Sequence, residues 1–375
     1  MRETTSLQPT QRRHDDGVSR RSVIEGGAAL AITSAFNSGF AGSEVAAVRR
    51  SPIQALPKRS RHLVDPETLA VLDQVPELVF SNENLAAIRQ AVPPQLEPSP
   101  NVTVSERIVP GPDGNPDIRV LVVTPAGTKA GAPGLFHIHG GGYVMGTPEM
   151  FLGRLTQIAE NCGCVAVSTT YRLAPETRWP GALDDIYTAF RWMHENASAL
   201  GVDPAQIAIT GESAGGGHAA ALALRARDRG GPPILMQLLV YPMLDDRPVP
   251  EAHFPGDYIW TRANDHYGWT ALLGVPAGSD AVPKGAVPGR VEDLSGLPPT
   301  YIAVGSLDLF VDANLEFARK LIAAGVPTEI HVVPGAWHGF EVMAPEATIS
   351  RQFTQDIIRA LNRASRAPRR GEGSL

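Results

Sequence analysis

Gln206-Ile207-Ala208-Ile209-Thr210-Gly211-Glu212-Ser213-Ala214-Gly215 carries the strongest indication of fold class in the chain. Its short apolar run reads as a strand that enters directly into a serine flanked by glycines. The run after it, Gly216-Gly217-His218-Ala219-Ala220-Ala221-Leu222-Ala223-Leu224, reads as a helix, because alanine and leucine are strong helix formers. Strand, Gly-x-Ser-x-Gly turn and helix together form the setting of a nucleophile elbow. So sharp a turn strains the serine at its apex and leaves no room for neighbouring Cβ atoms, hence the glycines. The five-residue pattern alone arises often by chance, and its flanks give it meaning.

Outward from the elbow, strands alternate with helices. Val102–Val109 and Ile118–Val123 flank a loop, residues 110–116, with the turn residues of a hairpin. Gly134–His139 and Cys164–Thr169 are the next strands, with helical residues Leu152–Glu160 between them. A helix opened by Pro180 runs through Ala199, is ended by Gly201, and leads into the elbow strand. Beyond the elbow, Ile234–Tyr241, Pro299–Val304 and Thr328–Val333 read as strands, Ala313–Ala324 as a helix, and about Pro345–Ala364 as the last helix. This order predicts an α/β fold: a mostly parallel central sheet, covered by helices on both faces, after an antiparallel start. Functional residues are then expected beyond the carboxyl ends of the strands.

A serine hydroxyl is a poor nucleophile at neutral pH and needs a base. His338 follows the last predicted strand on a glycine-containing loop, Pro334-Gly335-Ala336-Trp337-His338-Gly339. The base in turn needs a carboxylate to hold its tautomer and stabilise the imidazolium. Asp308, after the preceding strand, gives the chain order Ser, Asp, His. Asp312 is the rival, but it falls in the first turn of the next helix, where the dipole stabilises a carboxylate without any catalytic role. Attack on an ester carbonyl also builds negative charge on oxygen, which fixed donors must meet. His139-Gly140-Gly141-Gly142-Tyr143 closes an earlier strand, and its glycines let backbone N–H groups approach a substrate unobstructed. Phosphate binding is the other reading of such a loop, but the P-loop lysine and the dinucleotide spacing are both missing. No carboxylate-histidine cluster has ligand spacing, so no metal is expected.

The chain has 375 residues, 43% hydrophobic and 19% charged, enough for one large α/β domain or two ordinary ones. Its formal net charge of −6 gives no electrostatic reason to expect nucleic acid or an anionic membrane as partner. No run reaches the length of about 18 apolar residues that a membrane span requires. Residues 1–50 differ from the rest: Ser19-Arg20-Arg21-Ser22-Val23-Ile24 precedes a weakly apolar run from Gly26 to Phe40. That order resembles a twin-arginine export signal and predicts a periplasmic or secreted protein; the alternative is a disordered extension on a cytoplasmic one. Residues 51–100 carry helix-start signals at Asp65-Pro66-Glu67 and Ser81-Asn82-Glu83 and are expected to form a helical cap. Residues 101–365 are the expected catalytic domain, with a cap insertion near 245–295 that carries Tyr258, Trp260, Tyr267 and Trp269, and 366–375 a disordered tail. Cys162 and Cys164, one residue apart, are too close for an ordinary disulfide and read as buried free thiols.

The assembled motifs resemble the hormone-sensitive-lipase-like family of α/β-hydrolases from about Val102 to the last helix. They are His139-Gly140-Gly141-Gly142, Tyr171-Arg172-Leu173-Ala174-Pro175-Glu176, Gly211-Glu212-Ser213-Ala214-Gly215-Gly216, Tyr241-Pro242, Asp308 and His338-Gly339-Phe340. The resemblance implies an α/β-hydrolase fold with a helical cap, and a cofactor-free carboxylesterase acting on small-molecule esters of short to medium acyl chains. It implies Ser213, Asp308 and His338 as the catalytic triad, and the N–H groups of Gly141, Gly142 and Ala214 as the oxyanion hole. Tyr143 is expected beside the substrate. Tyr171, Arg172 and Glu176 are expected to support the oxyanion loop, with a structural ion pair as the plainer reading of Arg172. Glu212 stands where Asp or Thr is commoner, and Asp308-Leu309-Phe310 replaces the family's frequent Asp-Pro-Leu. Deacetylase, amidase and lactonase chemistry share this machinery. A non-catalytic receptor on the same fold is disfavoured by His338. A homodimer through an edge strand or helix is left open.

Overall fold

The structure, a computed structural model, describes residues 58–91, 98–250 and 255–366. The export-signal reading of residues 1–50 lies outside the described residues, as does the tail reading of 366–375 except for Arg366, which ends the last helix.

Eight strands form one sheet: β1 (Val102–Val109), β2 (Ile118–Pro125), β3 (Ala132–Ile138), β4 (Val165–Thr169), β5 (Val202–Glu212), β6 (Gln237–Val240), β7 (Thr300–Gly305) and β8 (Thr328–Val333). Their order is β1-β2-β4-β3-β5-β6-β7-β8. β2 pairs antiparallel with β1 and β4, and every other neighbouring pair is parallel. The register aligns Ile138 with Gly211, Glu212 with Val240, and Gly305 with Val333. The carboxyl ends of β3, β5, β6, β7 and β8 therefore share one edge, where the antiparallel start and parallel remainder expected from sequence would place a site.

The helices are α1 (Pro66–Leu72), α2 (Leu85–Gln90), α3 (Leu152–Cys162), α4 (Gly181–Glu195), α5 (Ala214–Asp228), α6 (Arg262–Leu273), α7 (Val311–Ala323), α8 (Phe340–Met343) and α9 (Thr348–Arg366). Side chains alternate across a strand, so each apolar strand feeds two cores. Phe136, Ile138, Ile207 and Ile209 pack with Leu183, Ile186 and Phe190 of α4, Leu222 of α5 and Phe317 of α7. Leu135, Ala166 and Ala208 pack on the other face with Leu155 and Ile158 of α3 and Phe353, Ile357 and Leu361 of α9. Each fully buried large apolar side chain contributes about 1.5–3 kcal/mol.

A third cluster joins the two cap segments over the carboxyl edge: Phe80, Leu85 and Ile88 from the first, Trp260, Trp269, Leu272 and Leu273 from the second. Buried Asn264 clasps them, accepting from the Phe80 N–H at 3.1 Å and donating to the Leu78 carbonyl at 2.7 Å.

Several boundaries differ from the sequence reading. Asp65 does cap α1, accepting from the Glu67 N–H at 2.9 Å, but α2 starts at Leu85 rather than near Ser81. The Ser81 carbonyl closes a turn with the N–H groups of Asn84 and Leu85, and the Asn84 side chain is taken by Ser81 and Val79. β6 is four residues long, because only from Gln237 does the chain pair with β5 and β7 at once. α4 ends at Glu195, where the Asn196 side chain bonds back to the Trp192 carbonyl.

Candidate active site

Ser213 sits at φ +56°, ψ −121°, a conformation that side chains other than glycine rarely adopt. A Cβ on Gly211 would lie 2.4 Å from the Gly215 carbonyl carbon, and one on Gly215 would lie 2.1 Å from the Ile138 carbonyl oxygen, so both glycines are obligatory. The turn is pinned from β6 and the segment after it: the Ser213 N–H donates to the Val240 carbonyl at 2.9 Å and its carbonyl accepts from the Met243 N–H at 2.9 Å. This holds a strained serine at the amino end of α5.

His338 follows β8, and the left-handed glycines 335 and 339 bend the loop on either side of it. Its Nε2 lies 3.0 Å from Ser213 Oγ and its Nδ1 2.7 Å from Asp308 Oδ2. The carboxylate fixes the tautomer: Nδ1 donates to Asp308, leaving Nε2 to accept from the serine hydroxyl. Asp308 is fully buried, and its other oxygen accepts from the Phe310 N–H at 2.9 Å, whereas Ser213 and His338 are each 6% exposed. The rings of Tyr241 and Phe310 pack against the imidazole with centroids 4.7 and 5.3 Å away. Asp312 is exposed on the first turn of α7, so Asp308 is the carboxylate that meets the histidine.

The glycine loop after β3 carries three successive positive φ values, at Gly141, Gly142 and Tyr143. It lies against the elbow: a Cβ on Gly140 would come within 2.7 Å of the Glu212 carbonyl and 3.4 Å of Ser213 Cβ. The N–H groups of Gly141, Gly142 and Ala214 bond to no acceptor among the described residues. The Tyr171 hydroxyl donates to the His139 carbonyl at 2.9 Å, and the Ala174 N–H to the Tyr143 carbonyl at 3.0 Å. Trp260 covers the loop, its ring reaching 2.0 Å from where a Gly142 Cβ would be, and its centroid lies 6.4 Å from that of His338.

The expectation for Tyr143 needs correction. Its ring is 2% exposed, its hydroxyl donates to the Met243 carbonyl at 3.0 Å, and it packs against His218 and Trp269. Tyr143 thus props the loop from inside rather than facing a ligand. Arg172 forms the plainer ion pair, a fork onto Asp185 at 2.7 and 2.8 Å. Glu176 holds Arg89 of α2.

Beneath the elbow lies a buried polar network that the sequence reading missed. His137 links Ser168 and Glu212, and Glu341 accepts from Arg154 and the Tyr241 hydroxyl, both at 2.6 Å. Burial pushes the Glu212 carboxyl upward, but His137 and Arg154 outweigh it and hold it below the ordinary range. Burial wins at Glu341, which is raised. One signal was available: Arg154 interrupts the apolar face formed by Leu152, Leu155 and Ile158. In the cap, Asp265 accepts weakly from the Trp260 indole N–H at 3.4 Å, and burial raises its carboxyl to about 8. Among the described residues, no group of three or more His, Cys, Asp or Glu is placed to hold a metal ion, and no helix is long and apolar enough to cross a membrane. Cys162 and Cys164 are free.

A family model for the alpha/beta hydrolase fold matches residues 135–342, and the chain belongs to that family, in the hormone-sensitive-lipase-like group its motifs resemble. Esterase LipI of Mycobacterium tuberculosis is 36% identical over 280 residues, covering 74% of this chain and 88% of that protein. Carboxylesterase NlhH of the same species is 34% identical over 333 residues, 83% of this chain and 99% of that one. Among solved structures, the bacterial heroin esterase aligns with a TM-score of 0.76 at 36% identity, covering 82% of this chain and all of that one.

Proposed function

We propose that the protein hydrolyses carboxylic esters of short to medium acyl chains through an acyl-enzyme on Ser213. The observation that carries this reading is the continuous string from Asp308 through His338 to Ser213 Oγ, at 2.7 and 3.0 Å, on a strained elbow. His338 Nε2 takes the hydroxyl proton as Oγ attacks the carbonyl carbon, and Asp308 stabilises the imidazolium. The free N–H groups of Gly141, Gly142 and Ala214 receive the oxyanion. His338 then protonates the leaving alcohol, and a water, deprotonated by the same nitrogen, attacks the acyl-serine and releases the acid. The names of the relatives support an ester as substrate, and Trp260 over Gly142 favours a small acyl group by crowding the loop.

The test is a p-nitrophenyl ester series from acetate to palmitate, run on wild type and Ser213→Ala. Turnover highest at short chains and lost in the variant is expected; serine-independent turnover would sink the assignment. We also infer export from Arg20-Arg21 and the apolar run behind them. Mass spectrometry of the mature amino terminus in secreted material tests it, and an intact Met1 or Arg2 there contradicts cleavage.

A further inference from the structure

Arg89 belongs to the cap, on α2, whose Leu85 and Ile88 are buried in the cap cluster. Its guanidinium nevertheless reaches the oxyanion loop. Nε donates to the Val144 carbonyl at 2.7 Å, Nη2 to the Ala174 carbonyl at 2.8 Å, and both terminal nitrogens form a fork onto Glu176 at 2.7 and 2.9 Å. Val144 closes the loop, its N–H donating to the Gly141 carbonyl at 3.0 Å, and Ala174 holds Tyr143 from the other side. One planar group thus ties together the two segments that fix Gly141 to Tyr143.

That loop cannot hold itself. Three consecutive residues with positive φ, one of them a tyrosine, persist only where surrounding contacts over-determine them. The Arg89–Glu176 pair is partly exposed, Glu176 at 63%, so as an ion pair it adds little to stability. Its rigid fork suits orientation instead.

We propose that Arg89 is a positioning residue: from the cap, it fixes the loop whose Gly141 and Gly142 N–H groups receive the oxyanion. This rests on the ester-hydrolase reading above. Donors displaced by a fraction of an ångström would bind the transition state worse while binding the substrate almost as before.

The experiment compares wild type with Arg89→Ala, Arg89→Lys and Glu176→Gln, after Ser213→Ala has independently tested serine-dependent turnover. A fluorophosphonate titration counts competent serines, so that misfolded protein does not enter the rate. The readouts are kcat/KM for p-nitrophenyl acetate and the inhibition constant of an aryl trifluoromethyl ketone, which forms a tetrahedral oxyanion on the serine. Arg89→Ala should lower kcat/KM per titrated serine by about tenfold to a hundredfold and weaken the ketone by the same factor. Arg89→Lys should not restore either quantity, since an ammonium cannot span three acceptors in one plane, and Glu176→Gln should show a smaller parallel loss. Guanidinium ion added to Arg89→Ala should recover part of both. Should Arg89→Ala fail to fold, the other two variants decide by the same readouts. The proposal is overturned if they stay within twofold of wild type, or if kcat/KM falls while ketone inhibition is unchanged.

Discussion

Two strings of serine, histidine and carboxylate run through this sheet. Ser213, His338 and Asp308 stand beyond the ends of β5, β8 and β7 with contacts of 3.0 and 2.7 Å. Ser168, His137 and Glu212, within β4, β3 and β5, are joined as tightly: His137 Nδ1 lies 2.7 Å from Ser168 Oγ and its Nε2 2.8 Å from Glu212. The difference is presentation. Ser168 is fully buried in a strand paired on both sides, whereas Ser213 sits on a strained turn beside N–H groups that have no acceptor among the described residues. Three side chains at hydrogen-bond distance do not make a hydrolase. The nucleophile must also be reachable, and donors must wait for the charge it creates.

Removing each serine in turn should separate the two strings most widely. Ser213→Ala should lower kcat/KM for a p-nitrophenyl ester by at least about 10⁴-fold while leaving thermal unfolding nearly unchanged. Ser168→Ala should do the reverse: it leaves His137 Nδ1 without its partner, costs about 1–3 kcal/mol in urea unfolding, and keeps most activity. Comparable activity losses in the two variants would mean that the buried string takes part in the chemistry.

The first string was legible in the sequence and the second was not, for a physical reason. Ser213, Asp308 and His338 each follow a strand in a local pattern of glycines and apolar runs, so fold and chemistry announce themselves together. His137 and Ser168 look like ordinary polar positions in strands, and the break that Arg154 makes in an apolar helix face was the signal of anything beneath the elbow. Arg89 lies 55 residues from Val144 and 87 from Glu176, and a guanidinium bonded to carbonyls leaves no spacing to find. Tyr143 was misplaced for a related reason. Its neighbours in sequence belong to the glycine loop, but a left-handed backbone there aims the ring into the cap cluster. The cap's two segments were expected, yet their clasp through Asn264 emerges only when the chain is folded.

A milder change sharpens the contrast through pH. The Glu212 carboxyl is held below its ordinary value of 4.5 in the folded chain. The unfolded chain therefore binds its proton first as pH falls, and the stability from Glu212 is present above about 4.5 and lost as pH drops through the folded value. Glu212→Gln should cost about 1–3 kcal/mol at pH 7, with the deficit shrinking below pH 4.5. Urea titrations at pH 7, 5 and 3.5 measure it. A deficit that does not change with pH would mean that the charge on Glu212 contributes nothing.

Asp265 should give the opposite sign. Burial raises its carboxyl from 3.8 to about 8, against the weak pull of the Trp260 hydrogen bond, so the folded cap keeps a proton that the unfolded chain releases. Wild-type stability then falls as pH rises from about 4 to about 8, the interval in which only the unfolded chain ionises. Asp265→Asn removes that slope: its Tm relative to wild type should climb across the interval and level off above it. The stability from Glu212 is thus lost in acid and that from Asp265 in base. Parallel Tm profiles for wild type and Asp265→Asn between pH 4 and 9 would remove the second half of that contrast.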